Sequence, residues 1–246
     1  ESVVLPESLT TFGRDAFNDC RLLKAIKIPS GITTIPDRCF YRCSSLESVT
    51  ISEGVTAIGD DAFQSCKLNA LTLPESLETI GSYAFSFCGL TELVIPEGVL
   101  VIDQDAFLGN YSLKNLILPS TITSIGNEAF RDNDNLQSII CNAATPPALG
   151  DNAFRSNISI KVPMASIVAY RQAVGWKNFT NYYGGEMFAD GITYLIIEKD
   201  AMVAAADSSL TEVNIPSVVE FEGNQYLVTK INDKLFLENT NLESVE

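Results

Sequence analysis

The six cysteines are the side chains in this chain best suited to chemistry, as nucleophiles, disulfide partners or zinc ligands. Four of them, Cys20, Cys43, Cys66 and Cys88, follow one another at nearly equal intervals. The sequence contains no C-x-x-C pair, the spacing typical of zinc and redox sites. The regular intervals instead predict that these four cysteines occupy one position of a repeat.

The same position holds asparagine in later repeats, at Asn110, Asn133 and Asn157. A position that takes either cysteine or asparagine requires a small side chain that hydrogen-bonds to backbone, so we expect these seven residues to form a structural ladder inside a turn. Stacked strands lie about 4.8 Å apart with parallel Cβ directions, whereas a disulfide needs converging Cβ atoms about 3.8 Å apart. We therefore expect no disulfide along the ladder. Cys39 and Cys141 replace alanine and leucine or isoleucine of other repeats, which predicts small core residues.

The chain contains no histidine, which removes Ser-His-Asp and Cys-His catalysis and the commonest zinc ligand. Two carboxylate pairs, Asp60 with Asp61 and Asp103 with Asp105, could in principle act as they do in glycosidases. They stand in a loop that is polar in most repeats, so solvated carboxylates are the simpler interpretation. Residues 132–135 resemble part of a calcium loop, but Leu136 follows where a third oxygen ligand is needed. We predict no catalytic residue, no metal site and no cofactor.

The phenylalanines mark the repeat that must position these residues. They recur almost periodically, at Phe17, Phe40, Phe63, Phe85, Phe107, Phe130 and Phe154. Before each glycine or proline turn, apolar residues alternate with polar ones, which predicts short strands with one buried face. A segment such as 60–66 is interpreted as one helical turn that places phenylalanine in the core. The fold class is therefore a repeat solenoid, a right-handed coil of short β-strands with one helical turn in each repeat of about 22–24 residues.

The two shortest intervals, from Phe63 to Phe85 and from Phe85 to Phe107, have a local cause. The loop from Cys66 to Leu68 is one position shorter than the loop from Cys20 to Leu23. The same shortening recurs after Cys88. We interpret both as single deletions in a loop and expect the buried columns to stay in register.

One stretch, residues 51–66, reads I-S-E-G-V-T-A-I-G-D-D-A-F-Q-S-C. This resembles the repeat of BspA-like leucine-rich repeat surface proteins of bacteria, I-P-x-x-V-T-x-I-G-x-x-A-F-x-x-C-x-x-L. The resemblance covers residues 5–160, resumes at 213–216, and continues from 228 through 242. It implies a leucine-rich repeat solenoid, an extracellular or cell-surface location, and adhesion to macromolecules of host or neighbouring cells.

The pattern divides the chain into three parts. Residues 1–160 form the leucine-rich repeat solenoid, residues 161–185 a capping or junction segment with a short helix, and residues 186–246 the start of a second repeat block. The second block is predicted to contain a strand over residues 192–197 and a β-hairpin around Gly223.

The junction is expected to close the end of the first core. Ser166 can cap a short helix, and Ile167, Tyr170 and Val174 are predicted to share one helix face. This helix and the single tryptophan, Trp176, would cover the last coil, as a solenoid requires.

Composition and charge restrict the partners. The 246 residues are 46% hydrophobic and carry a formal net charge of −15. This acidity argues against nucleic acid and anionic membranes, which reward clusters of lysine and arginine. The sequence has no apolar run of the roughly 20 residues that span a bilayer. Because it begins Glu-Ser-Val-Val, we expect a fragment of a longer protein.

The outward residues of the first strands change character along the chain. They are Lys27, Thr50, Thr72, Val94, Ile117 and Ile140. The last three, which we call the apolar stripe, are candidate binding residues because exposed apolar surface commonly marks an interaction site. The alternative is that the junction or the second block folds over them.

These features predict a non-catalytic, secreted or surface-attached module that binds protein, with the solenoid as its scaffold. Two alternatives stay open. One is a glycan-binding or accessory part of a polysaccharide-handling system, and the other is a structural spacer. The expected partners are proteins, or glycans, of host or neighbouring cells. Nucleic acid is not expected, and neither is a membrane span within this fragment.

Overall fold

A computed structural model describes residues 2–232, 235, 236, 239 and 241–245. Residues 233, 234, 237, 238 and 240 of the last predicted repeat lie outside the described residues, as do residues 1 and 246. The first fourteen strands are β1 (Ser2–Val3), β2 (Ala25–Ile28), β3 (Thr34–Ile35), β4 (Ser48–Ile51), β5 (Ala57–Ile58), β6 (Thr79–Ile80), β7 (Glu92–Val94), β8 (Val101–Ile102), β9 (Asn115–Leu118), β10 (Ser124–Ile125), β11 (Ser138–Cys141), β12 (Ala148–Leu149), β13 (Ser159–Lys161) and β14 (Tyr182–Tyr183).

These strands form the sides of a coil that repeats along one axis. On one side, parallel strands pair in the order β1-β2-β4 and β7-β9-β11-β13-β14. On a second side, six parallel strands pair in the order β3-β5-β6-β8-β10-β12. Pairing joins equivalent repeat positions, such as Ile35 with Ile58 and Ile58 with Ile80. The leucine-rich repeat solenoid predicted from the sequence is confirmed.

The third side of each coil, which carries the phenylalanine of the repeat, does not form the predicted helical turn. Each of the first six coils has two residues of positive φ, four positions apart, as at Asp61 (φ 58°) and Ser65 (φ 60°). Between them the backbone bonds to the next coil, since the Phe63 N–H donates to the Ala84 carbonyl at 2.8 Å. A helix would need those amides for bonds within its own segment, so the chain forms two left-handed turns instead.

The phenylalanines of the repeat stack along the core. Neighbouring rings from Phe17 to Phe154 lie 5.0 to 5.4 Å apart between centroids and 3° to 10° from parallel. Phe12 meets the first ring edge-on, and Trp176 and Phe179 contact the last. The stack is therefore covered by aromatic side chains at both ends.

The first side of the coil is interrupted in the fourth repeat. Residues 70–73, where the alternation of Leu71 and Leu73 predicts a strand, belong to no strand. Leu73 is buried and Leu71 half-buried, so the apolar column persists. The interruption follows the shortened loop, in which the Lys67 N–H already donates to the Leu46 carbonyl at 3.0 Å. The core column is thus preserved across the deletion, while the sheet lacks a strand at this level.

The junction contains one α-helix, α1 (Ile167–Gln172), preceded by the 3₁₀ turn Met164–Ser166 and followed by the 3₁₀ turn Trp176–Asn178. Ser166 does not cap the helix, because its hydroxyl donates to the Ala144 carbonyl at 2.7 Å. Val174 is 81% exposed and lies beyond the helix end, so the prediction that it shares the buried face is wrong. Trp176 is buried and its Nε1 donates to the Pro147 carbonyl at 2.7 Å, which closes the solenoid core.

An antiparallel arrangement follows. Its strands are β15 (Gly185–Ala189), β16 (Ile192–Ile197), β17 (Asp200–Ala206), β18 (Glu212–Val213), β19 (Val218–Phe221), β20 (Asn224–Ile231) and β21 (Ser244–Val245). Five of these strands form one sheet in the order β15-β16-β17-β20-β19, in which β17 and β20 are parallel and the other neighbours are antiparallel. The other two, β18 and β21, form a separate parallel pair. The hairpin β19–β20 turns at Glu222 and Gly223, both of positive φ. A second apolar core lies under this sheet. The three-part division of the chain stays a prediction.

Candidate functional site

The apolar stripe lies in one row across three paired strands. Val94 of β7 pairs with Ile117 of β9, which pairs with Ile140 of β11. The row continues to Lys161 and then Tyr183. Strand register therefore brings together the three residues that the sequence places far apart.

The three side chains differ in exposure. Val94 is 58% exposed, whereas Ile117 and Ile140 are half-buried. Val94 lies on the edge strand of its sheet, beside the unpaired residues 70–73, while Ile117 and Ile140 each lie between two strands. The alternative that the junction or the second block covers the stripe does not hold at Val94.

Two depressions flank Val94. The first, of about 410 Å³, lies between residues 70–75 and β7 and includes Glu75 and Glu92 on its wall. The second, of about 290 Å³, lies over β7, β9 and β11 and includes Ile117 and Ile140. Val94 therefore projects between two hollows, an arrangement that can receive side chains of a partner.

The predicted ladder forms a regular series of hydrogen bonds. In each case the side chain donates to the carbonyl of the phenylalanine one coil earlier. The bonds are Cys43 to Phe17 (3.1 Å), Cys66 to Phe40 (3.2 Å), Cys88 to Phe63 (3.1 Å), Asn110 to Phe85 (2.9 Å) and Asn133 to Phe107 (3.1 Å). Thiol and amide thus perform one structural task.

The two ends of the ladder depart from this geometry. Cys20 lies in the first of the described coils and is exposed. Asn157 is also exposed, so its expected place inside a turn is wrong. Of residues 150–158, only Asn152 has a positive φ, so this last coil lacks the second left-handed turn that encloses the ladder position elsewhere.

Burial disfavours the thiolate form of four inner cysteines, Cys39, Cys66, Cys88 and Cys141. It raises the pKa of Cys39 and Cys88 to about 12 and raises the pKa of Cys141. The pKa of Cys66 is raised by its hydrogen bond with Cys43 and by burial. Because the thiolate is the reactive form, these cysteines are placed for packing and hydrogen bonding.

The carboxylates of Asp37 and Asp60 each bond to the backbone of the next coil. Asp37 Oδ1 accepts a hydrogen bond from the Asp60 N–H at 3.0 Å, and Asp60 Oδ1 accepts one from the Ser82 N–H at 2.8 Å. Partial burial raises the pKa of Asp61 and of Asp103. Asp60 is thus occupied by a structural bond and does not form an open catalytic pair with Asp61.

The segment that resembles part of a calcium loop points its side chains in different directions. Asp134 pairs with Arg155 at 2.6 Å, and Asn135 Nδ2 donates to the Tyr111 carbonyl at 2.6 Å. No three His, Cys, Asp or Glu side chains converge on a metal-sized site in the part of the chain that the structure describes.

The repeat geometry matches that of a known family. A family model, the BspA type leucine rich repeat region with six copies, matches residues 1–88 and 33–161. This chain belongs to the BspA-type leucine-rich repeat family. Proteins built from such repeats are generally non-catalytic.

Solved structures contain similar coils. The leucine rich repeat protein TpLRR of T. pallidum is 31% identical with a TM-score of 0.50, and the match covers 56% of this chain and 68% of that one. A leucine rich cell surface protein from Faecalibacterium prausnitzii is 20% identical (TM-score 0.45), with 100% and 69% covered. The pneumococcal vaccine antigen PcpA is 21% identical (TM-score 0.41), with 91% of this chain and 50% of that one covered. No curated protein matches the sequence.

Helices contribute little to this BspA-type module. Within the described ranges, no helix is long and apolar enough to cross a membrane.

Sequence reasoning missed one exposed feature of these BspA-type repeats. Phe87 and Tyr111 are 43% and 51% exposed, and their ring centroids lie 6.5 Å apart at 44°. The signal was present in the repeat, because the position of Phe87 holds Asp19, Ser65 or Gly109 in other coils.

Proposed function

We propose that this BspA-type module is a non-catalytic binding unit, displayed outside the cell, that recognises a protein through the apolar stripe. The observation that carries the proposal is Val94, an apolar side chain 58% exposed between two hollows on a rigid parallel sheet. A fully buried valine at an interface contributes about 1.5–3 kcal/mol. Val94 is thus suited to act as a hot spot.

The surroundings of Val94 indicate the chemistry of the partner. Glu75 and Glu92 line the larger hollow, and the chain has a net charge of −15. A partner with apolar side chains flanked by lysine or arginine would complement this surface, and such complementarity mainly accelerates association. Since an interface needs about 800 Å² per partner, the stripe is the centre of a larger footprint.

Surface display and adhesion rest on the family. The repeats resemble those of bacterial surface proteins, and a stacked solenoid gives an extended face for large ligands. The acidic surface disfavours nucleic acid as a partner.

The test compares substitutions on the same outward column. Wild type, Val94→Asp and Thr50→Asp are passed over immobilised purified extracellular-matrix and plasma proteins, and affinity is measured by surface plasmon resonance. Thr50 is the matched control because it is exposed, pairs in the same kind of strand, and lies at the polar end.

We expect at least one of these proteins to bind the wild type, Val94→Asp to weaken that binding by about tenfold or more, and Thr50→Asp to leave it within about twofold. Association should also slow as salt is added. Equal binding by Val94→Asp and wild type would refute the role of the stripe. Binding to none of the proteins would favour a structural spacer.

A further inference from the structure

The exposed pair Phe87 and Tyr111 lies on the turns and loops of the solenoid, not on its strands. Phe87 is the positive-φ residue of the second left-handed turn of the fourth coil, and Tyr111 lies in the loop of the fifth. Their ring centroids lie 6.5 Å apart and the ring planes are tilted by 44°, and both rings present surface to solvent.

Phe87 occupies a backbone conformation that its residue type disfavours. Its φ is 56°, in the left-handed region where aspartate, asparagine and glycine are favoured and a bulky residue is an outlier. The corresponding positions in neighbouring coils hold Ser65 and Gly109. Local conformational strain retained at an exposed aromatic residue points to a functional constraint.

The ring of Phe87 packs against Gly109, which has no side chain to obstruct it. A Cβ atom built on Gly109 would lie 2.4 Å from Cε1 of Phe87, so the ring rests directly on the glycine backbone. The loop of Tyr111 is fixed as well, because the Tyr111 carbonyl accepts a hydrogen bond from Asn135 Nδ2 at 2.6 Å. The ring of Phe87 and the backbone of Tyr111 are therefore held in place before a ligand arrives, which lowers the entropic cost of binding.

The repeat positions next to the two rings hold residues that can form hydrogen bonds. At the equivalent positions of nearby coils stand Ser65, Asp132 and Asp134. Two separated rings with a rim of hydroxyls and carboxylates fit a ligand that has both an apolar face and many hydroxyls. Asp132 and Asp134 are paired with Arg131 at 3.7 Å and with Arg155 at 2.6 Å, so the rim carries little net charge and suits a neutral ligand.

We propose that Phe87 and Tyr111 form a binding platform for neutral oligosaccharides, in which pyranose rings stack on the aromatic faces and the rim accepts hydrogen bonds from sugar hydroxyls. This site is distinct from the apolar stripe and does not depend on it. A pyranose in its chair form presents axial C–H groups on one face, which is the surface that an aromatic ring can cover.

The test is native affinity electrophoresis of the whole chain through gels that contain one neutral polysaccharide each: a mixed-linkage β-glucan, a galactomannan, a β-galactan or starch. The net charge of −15 drives migration, and binding retards it. The variants are Phe87→Asn and Tyr111→Ser. Asn is better tolerated at positive φ, so Phe87→Asn should melt at or above the wild-type temperature. Arg42→Asn is the matched control, since Arg42 (φ 57°) has the same repeat position two coils away.

We expect at least one polysaccharide to retard the wild type, and the dissociation constant to rise by about tenfold or more in Phe87→Asn and in Tyr111→Ser, a loss typical of one stacking ring. Arg42→Asn should stay within about twofold. Retardation by none of the four polysaccharides would overturn the proposal. Wild-type affinity for the polysaccharide in either aromatic variant would also overturn it. If the aromatic variants instead lose binding in the surface plasmon resonance test and no polysaccharide binds the wild type, the rings belong to a site for a protein partner.

Discussion

Asn110 donates a hydrogen bond from Nδ2 to the carbonyl oxygen of Phe85 at 2.9 Å, where the preceding coil uses the thiol of Cys88 on Phe63 at 3.1 Å. Asparagine also supplies a hydrogen-bond acceptor, because its Oδ1 accepts bonds from the N–H groups of Gly89 (3.0 Å) and Leu90 (3.1 Å). These amides belong to the second shortened loop. The change from cysteine to asparagine thus coincides with a backbone that needs an acceptor.

The first prediction compares two asparagines of the ladder. Asn110→Cys should lower the free energy of unfolding by about 2–3 kcal/mol, because it leaves the Gly89 and Leu90 amides without their acceptor. Asn133→Cys should be neutral or stabilising, since Asn133 Oδ1 is buried with no hydrogen-bond partner among the described residues and a thiol can keep the donated bond. Urea unfolding measures both. Equal losses would contradict this account of the ladder.

The second prediction concerns thiol reactivity. Of the six cysteines only Cys20 is exposed, and the other five are buried. The native protein should therefore react with a chromogenic disulfide reagent at one thiol, and the denatured protein at six. Cys20→Ser serves as the control and should abolish the native reaction. Rapid labelling of a second thiol would show that the coils open.

The third prediction concerns the spacing between coils. A Cβ at Gly126 would lie 2.5 Å from the backbone nitrogen of Gln104, so Gly126→Ala must push two coils apart and should cost about 2–3 kcal/mol. Gly13 has the same repeat position in the first coil, and a Cβ there meets nothing within 4 Å. Gly13→Ala should therefore change stability by less than about 0.5 kcal/mol. Similar denaturation midpoints for both variants would argue against a tight contact between coils at this repeat position.

The fourth prediction concerns the end of the core. Trp176→Ala removes the ring that contacts Phe154 and should destabilise the protein by about 3–5 kcal/mol. Because each coil depends on its neighbours, hydrogen exchange should increase first around Phe154 and only later around Phe63. Val174→Ala, in the same junction but at an 81% exposed side chain, should have little effect. Uniform exchange along the solenoid would contradict a local role for the cap.

The sequence predicted those features that repetition makes visible. Equivalence of Cys88 and Asn110 predicted their shared role, and the spacing of the phenylalanines predicted that they lie in the core of a repeat solenoid. It failed where bonding to neighbouring coils decides the local structure. Residues 60–66 look like a helical turn, but the amides of Asp61, Phe63 and Ser65 bond to the next coil. Ser166 has the character of a helix cap, but the carbonyl of Ala144 lies within its reach only in the folded chain.

The candidate sites were also predicted only where the repeat pattern alone determines the structure. The apolar stripe could be predicted because strand alternation fixes which residues point outward. The difference in exposure between Val94 and the half-buried Ile117 could not be predicted, since it depends on the absence of a neighbouring strand at residues 70–73. The pair of Phe87 and Tyr111 escaped notice because their proximity arises between loops of adjacent coils.

The most direct test of the proposed binding face is methyl NMR of the protein, labelled at isoleucine and valine methyls, during titration with a matrix or plasma protein that it binds. The account predicts that the methyl signals of Val94, Ile117 and Ile140 shift or broaden first, while that of Ile58 on the second sheet stays unchanged. Largest changes on the second sheet, with Val94 unaffected, would contradict it.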